Sequence, residues 1–323
     1  MGVRRRVIII GSEGFCGKAL IARFRHSTDW ELVGLDDALP LNVRDYNFFR
    51  QDIRQPLDFE FLPDDIVVHL AANQYHGRVP RQGRNAFFSG VNIEGTKNIL
   101  LRMKECGTSR MVFFSTDMVY GLPNYVPIRP DHPRHPFGPY GETKKAAEDL
   151  CLDYVRNGFQ ISIFRPRMII GAGRLGILAR LFRLIELNLP VPLIGTGNNH
   201  YQMVSVHDCT KAILSAMKQG CPTGPYNLGS KNPPTVKNLL RQIIRKAGSR
   251  SFLFPTWGAG LKVVLRSLDA CGLEIMYKEQ YEIADIDYLL DIEATERDLG
   301  WNPEHDDTSM LFAAFEQYRK GRT

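Results

Sequence analysis

The apolar positions in the first half of the chain fall into short unbroken runs, separated by longer stretches of mixed polarity. VIIIG (Val7–Gly11) predicts a buried strand, and Lys18 to Phe24 has helical character. ELVGLD (Glu31–Asp36) predicts a second strand, a weaker third lies near Phe48–Gln51, and DIVVHLAA (Asp65–Ala72) predicts a fourth. Asn92 reads as the N-cap of a helix over Ile93 to Glu105, with Gly107 as its stop signal. MVFFS predicts a fifth strand. Tyr140 to Arg156 carries a helical pattern closed by Asn157-Gly158, and ISIFRP (Ile161–Pro166) predicts a sixth strand. Apolar runs that do not alternate belong in a sheet covered on both faces. Strand and helix in this alternation predict an α/β fold built on a doubly wound parallel sheet, the Rossmann arrangement.

After Gly171 the pattern loosens. Gly171 to Gly176 is glycine-rich, a helix is predicted from Ile177 to Leu187, and Pro190 and Pro192 break the chain beyond it. HYQMVSVHDCTKAILSAM (His200–Met217) predicts a strand running into a helix, and PYNLGS (Pro225–Ser230) a short strand. From there to Thr323 helices mix with turns. DHPRHPFGP (Asp131–Pro139) is expected on the surface or at the mouth of a cleft.

Composition sets limits more than direction. The 323 residues are 44% hydrophobic and 24% charged, enough apolar material for a sizeable core. The formal charge of +6 suits an anionic ligand such as a phosphate ester. It is too diffuse for nucleic acid, since the dense basic run is only Arg4-Arg5-Arg6. No two of the six cysteines stand in CxxC spacing, so reduced thiols are expected. His132 and His135 lie in the proline-rich loop without a matching ligand set, and no metal is expected. The apolar run Val7 to Ile10 is too short for a secretory signal, and no stretch reaches membrane-spanning length. A cytoplasmic protein is the expectation.

Chemistry enters at the ends of the predicted strands. The turn after the first is GSEGFCG, with glycines at 11, 14 and 17. The first glycine allows a sharp turn, the second lets a pyrophosphate approach the backbone, and the third lets the helix pack on the strand. The helix N-terminus then faces the anion with free N–H groups. Asp36 ends the second strand, 25 residues after Gly11. An acid there accepts hydrogen bonds from an adenosine ribose and repels a 2′-phosphate, which favours NAD over NADP. The alternative for Asp36 is a residue that merely starts a turn. Asp52, after the third strand, could face the adenine edge.

YGETK places Tyr140 and Lys144 on one face of a helix. A nearby ammonium favours the phenolate, so such a tyrosine can exchange a proton near neutral pH. Thr116, at the end of the fifth strand, is the natural hydroxyl to hold a substrate oxygen against Tyr140. A carbinol held this way leaves its carbon free to pass hydride to a nicotinamide. Lys144 could also hold the nicotinamide ribose.

Taken in order, GSEGFCG, Asp36, Asp52-Ile53, HLAA (His69–Ala72), VNIEGT (Val91–Thr96), FSTDMVYG (Phe114–Gly121), YGETK, FRP (Phe164–Pro166), GTGNNHYQMVSVHD (Gly195–Asp208), YNLG (Tyr226–Gly229) and LGWNP (Leu299–Pro303) carry a resemblance. The chain resembles the extended short-chain dehydrogenase/reductases of the NAD-dependent epimerase/dehydratase family, which act largely on nucleotide sugars. The resemblance implies that Thr116, Tyr140 and Lys144 are catalytic. It implies that NAD is framed by Gly11, Gly14, Phe15, Gly17, Asp36, Asp52, Ile53, Leu70, Ala71, Ala72, Asn92 and Ser115, together with Tyr140 and Lys144. Residues 1–171 plus 201–230 would form the NAD-binding domain, and 172–200 plus 231–323 a smaller, mostly C-terminal α/β substrate domain. A homodimer would form through the helices near 93–105 and 142–156.

Two departures bear on the substrate. The dehydratase branch carries Thr-Asp-Glu at the strand end, whereas here Met118 follows Thr116-Asp117. Methionine cannot take up a proton, so water elimination loses its expected base. Asp117 is left either to bond the substrate or to tie down the loop. Related proteins often place an arginine in the stretch Asn198–Gln202 to clasp a diphosphate, and here it is His200. Arg167, Arg174 and Arg180 could substitute, with plain surface positions as the alternative. Thr116, Asp117, Arg167 and His200 are therefore the expected substrate contacts. The reading is an enzyme that transfers hydride at a secondary alcohol of a sugar, a nucleotide-sugar epimerase with tightly bound NAD. The alternatives are a dehydrogenase or ketoreductase, and behind these a 4,6-dehydratase or a non-catalytic NAD-binding protein.

Overall fold

The computed structural model describes residues 5–24, 30–39, 46–75, 79–171, 173–176, 178–271 and 275–321. Arg4 of the basic run and Ile177, the predicted start of a helix, lie outside these ranges. Strand β1 (Arg5–Ile10) leads into helix α1 (Phe15–Phe24), then β2 (Trp30–Asp36), β3 (Asn47–Arg50) and β4 (Ile66–His69). Helix α2 (Arg84–Ser89) passes through a wider π-helical turn, Gly90–Gly95, into α3 (Thr96–Glu105). Next come β5 (Arg110–Phe114), α4 (Pro139–Arg156), β6 (Gln160–Pro166) and β7 (Met168–Ile170). They are followed by α5 (Leu178–Glu186), β8 (Val191–Leu193), β9 (Met203–Ser205), α6 (Val206–Lys218) and β10 (Gly224–Leu228). The C-terminal part holds α7 (Val236–Lys246), β11 (Leu253–Pro255), α8 (Gly258–Ala270), α9 (Lys278–Tyr281), α10 (Glu293–Leu299) and α11 (Asp307–Lys320).

Among the described residues, seven strands form one parallel sheet in the order β10-β6-β5-β4-β1-β2-β3. The predicted Rossmann fold is the one observed. The apolar runs explain it. Val7 and Ile9 enter the core on one face with Leu20, Phe24 and Ile213, while Ile8 and Ile10 enter the core on the other with Ile99, Met103 and Ala147. A strand whose two faces are both covered has no polar face to show, hence VIII. The strand order reverses between β1 and β4, which opens a crevice at the carboxyl ends of the strands. Gly11, Leu70, Ser115 and Arg167 each stand within one residue of such an end.

Helix α4 is fixed to β6 by a buried charge network. Arg165 bonds both oxygens of Glu148, at 2.9 and 2.7 Å, and Arg134 adds a third bond at 2.9 Å. Residues after Gly171 build a further apolar cluster of Phe182, Leu193, Leu239, Ile243, Leu311 and Phe315. The strand predicted to run into a helix within His200–Met217 is β9, leading into α6, whereas β7, which pairs with β9, and the pair β8 with β11 have no counterpart in the sequence pattern. Three residues are too few to display a period.

One expected element is corrected. Asn92 does not cap a helix: it lies inside the π-helical turn of a continuous helical run that starts at Arg84. Its carboxamide accepts from Asn73 N–H at 2.9 Å and donates to Asn73 O and Thr143 Oγ1, both at 3.0 Å. Gly107 does end α3, with Thr108 N–H returning to Met103 O at 2.9 Å.

Candidate active site

The glycine turn is built by close approach. Gly11 adopts φ +89°, and a Cβ there would lie 2.6 Å from Ala71 N. A Cβ on Gly17 would lie 2.2 Å from Gly11 O, so α1 sits directly on the turn. Gly14 differs, for its Cβ would meet only Gly11 O, at 3.2 Å. Its outer side is open, which is the property a pyrophosphate needs. Leu70 and Ala71 N–H both donate to Ile10 O, binding the end of β4 to the same turn.

Asp36 accepts from Glu13 N–H at 2.8 Å and from Ala38 N–H at 3.0 Å. One carboxylate oxygen thus holds the glycine turn and the other the chain just after β2, and each keeps a lone pair for a ribose hydroxyl. Burial raises this carboxyl above its ordinary value, against the pull of those two N–H groups. Asp52 is clasped by Arg54, with bonds of 2.7 to 3.0 Å, and that guanidinium lowers its pKa. Ile53 is buried and fills the space beside Gly95.

The end of β5 carries the polar cluster. Ser115 N–H donates to Phe164 O at 2.7 Å, while its hydroxyl is buried without a hydrogen-bond partner among the described residues. Thr116 Oγ1 accepts from Met118 N–H and donates to Asp117 Oδ1, both at 3.2 Å. Asp117 Oδ2 takes a 2.6 Å bond from Arg167 Nη1. The ion pair is buried, with side chains 2% and 5% exposed, so the surface alternative for Arg167 does not hold. The guanidinium lies between the rings of Tyr201 and Tyr288, at 4.1 and 4.3 Å from their centroids. Its Nε and Nη2 have no hydrogen-bond partner among the described residues.

Tyr140 and Lys144 project from the first turns of α4. Burial pushes the Tyr140 phenol above its ordinary value, and the Arg174 guanidinium and the Thr116 hydroxyl act against it. The low tyrosine pKa expected from YGETK is therefore not a property of the protein by itself. Burial lowers Lys144 to about 8, and its ammonium lies 4.2 Å from the Phe113 ring centroid. Arg174 is half-buried, bonds Gln74 and lies 5.5 Å from the Phe15 ring. His200 is not in the buried cluster. Asp287 holds its ring at Nδ1, 2.9 Å away, and its N–H at 2.7 Å. Arg180 is exposed, bonded to Ile275 O. A separate surface cavity of about 480 Å³ lies at the β3 edge, lined by Arg6, Phe49 and Phe59, and touches none of these groups.

Three residues were missed by the motifs. Tyr75 lies edge-on to Tyr140, with ring centroids 5.9 Å apart, and stacks on Tyr277 at 4.1 Å. Glu279 accepts from Gly141 N–H at 3.3 Å, across 138 residues of chain. No local pattern in YKEQY announces this.

The family model described as the NAD dependent epimerase/dehydratase family matches residues 7–229. The chain belongs to this family. NAD is its cofactor, and the open side of Gly14, the partnerless Ser115 hydroxyl and the Asp36 carboxylate fit that group. Among relatives, the uncharacterized protein y4nG of Sinorhizobium fredii is 30% identical over 82% of this chain and 69% of its own length. A putative UDP-glucose 4-epimerase of Methanocaldococcus jannaschii is 27% identical over 93% and 94%. Among solved structures, UDP-glucuronic acid 4-epimerase from Bacillus cereus in complex with NAD superposes with a TM-score of 0.76 at 19% identity, covering 98% of this chain and all of that one. That likeness is one of fold. No described helix of this family member is long and apolar enough to cross a membrane.

Proposed function

We propose that the protein is an NAD-dependent epimerase of a nucleotide sugar, acting at a secondary carbinol held between Thr116 and Tyr140. The observation that carries this is the Thr116 hydroxyl at the end of β5, within hydrogen-bonding reach of the Tyr140 phenol on α4, with Met118 rather than a second acid after Asp117. When bound, NAD supplies the acceptor and later the donor of hydride.

The chain's own groups do the rest. Thr116 Oγ1, within reach of both Asp117 Oδ1 and the Tyr140 phenol, contacts the substrate hydroxyl and aligns it. Tyr140 takes the proton from that oxygen and returns it after the sugar has presented its other face. Arg174, the cation that most opposes the burial of Tyr140, steadies the phenolate. Lys144 holds the nicotinamide ribose, and Asp36 the adenosine ribose. Arg167 offers its unpartnered edge to substrate oxygens, and His200, aimed by Asp287, offers its other nitrogen to the diphosphate. Residues 172–200 and 231–323 would supply the substrate side, and α3 with α4, where Leu101 is exposed, the dimer face.

Met118 has no atom that can accept a proton, which weighs against 4,6-dehydration. A dehydrogenase would use the same Thr116, Tyr140 and Lys144, and cofactor retention separates the two. Denaturing the purified protein is expected to release about one NAD per chain, because an epimerase reuses its cofactor. A site that fills only with added NAD favours the dehydrogenase. Y140F is expected to bind NAD and lose turnover by about 10²- to 10⁴-fold. Full activity in Y140F would sink the mechanism, and failure to bind any of a panel of nucleotide sugars would sink the substrate class.

A further inference from the structure

Glu279 stands on α9, yet its carboxyl lies inside the first turn of α4, the helix that carries Tyr140. The N-cap of α4 is Gly138, which has no side chain to offer. A Cβ at Gly138 would lie 2.2 Å from Glu279 Cδ. The carboxyl therefore fills the space where a capping side chain would stand. Its Oε1 accepts from Gly141 N–H at 3.3 Å, and its Oε2 is buried with no hydrogen-bond partner among the described residues. Glu279 is only 3% exposed.

Its immediate neighbours are aromatic. Tyr75 packs between this carboxyl and the Tyr140 ring, and burial followed by the charge of Glu279 raises the Tyr75 phenol. The ionisable groups facing Glu279 are Tyr75, Tyr140 and Glu142 on α4 and Lys278 on α9, while Arg84 of α2 acts on Tyr75 and lies 5.8 Å from the Tyr277 ring. Burial pushes the carboxyl up to about 7, although the Tyr75 hydroxyl and Gly141 N–H pull it down.

We propose that Glu279 is a positioning residue for Tyr140: it caps the catalytic helix from a distant segment and, through Tyr75, fixes one face of the Tyr140 ring. The proposal rests on Tyr140 being the acid/base group. A carboxylate at a helix N-terminus is favoured by the helix dipole. The same negative charge raises the Tyr140 phenol, and protonation of Glu279 would remove it. One proton on Glu279 would thus change the electrostatics of Tyr140.

NMR of protein labelled with ¹³Cζ-tyrosine tests this without any substrate. Y140F and Y75F assign the two resonances, followed between about pH 5.5 and 8.5, a range that brackets the carboxyl's value of about 7. Both resonances are expected to shift in one step near the middle of that range, and the step is expected to vanish in E279Q. A flat Tyr140 resonance in the unaltered protein, or a step that survives in E279Q, overturns the proposal. With UDP-glucose as the turnover probe, E279A is expected to lose about tenfold to a hundredfold in kcat with KM within about twofold, as small displacements of a catalytic group do. E279Q is expected to retain more of kcat than E279A. An unchanged kcat in E279A also overturns the proposal. Full activity in Y140F removes the acid/base reading but leaves the Glu279 step in the spectra, so the two failures are distinguishable. If UDP-glucose is not turned over, the NMR result decides the proposal by itself.

Discussion

Thr116 has one hydrogen to give, and both Asp117 Oδ1, at 3.2 Å, and the Tyr140 phenol lie within its reach. One lone pair of the hydroxyl takes Met118 N–H, which leaves one for a substrate hydroxyl. T116V is therefore expected to bind NAD normally and lose about tenfold to a hundredfold in kcat, with T116S close to the parent, measured by cofactor titration and steady-state kinetics. Asp117, open from the sequence as substrate contact or loop anchor, has both oxygens engaged within the protein, by Thr116 and Arg167. R167M would leave that buried carboxylate unpaired. Chemical denaturation is expected to show a loss of about 3–5 kcal/mol, and a smaller loss in the D117N/R167M double variant. YGETK and FSTDM were legible because each keeps its chemistry within one turn or one strand end. Arg167 was legible only as one arginine among three candidates, since its burial between Tyr201 and Tyr288 depends on chain segments far from it.

At the scale of elements, the strands of the central sheet followed from their apolar runs. The glycine turn was equally readable, because its three glycines act over seven residues. G17A is expected to disrupt that turn, since the new methyl would meet Gly11 O at 2.2 Å; loss of bound NAD and a lower Tm are the readouts. The segment around Asn92 departs from its expected N-cap for a physical reason. A side chain that favours helix N-caps also bonds backbone beyond its own helix, and here Asn73 and Thr143 claim it. N92L is expected to remove the partner of the half-buried Asn73 backbone groups and to cost about 1–3 kcal/mol, measured by denaturant unfolding.

Across the whole molecule, distant segments are tied to the sheet by buried polar groups. Trp301, fully buried, donates to Asp208 O at 2.9 Å, and Tyr288 donates to Asp117 O at 3.1 Å. Asp307 accepts from Met203 N–H and Ser230, and burial raises it to about 6. Glu279 and Asp307 both have raised values in the fold, so the stability they contribute is complete below their ordinary range near 4. It is lost as pH rises through about 6 for Asp307 and about 7 for Glu279. E279Q is accordingly expected to flatten the fall in Tm between about pH 5 and 8, read by calorimetry. The sequence alone determined the parallel sheet, the glycine turn and the Tyr140–Lys144 pair, because periodicity and short spacing are local properties of a chain. Only the tertiary structure decided that Glu279 caps the Tyr140 helix, that Asp117 is neutralised by Arg167 and that Asn92 faces Asn73. Those contacts join residues 19 to 138 positions apart, and which side chains meet over such spans is set by how the layers pack.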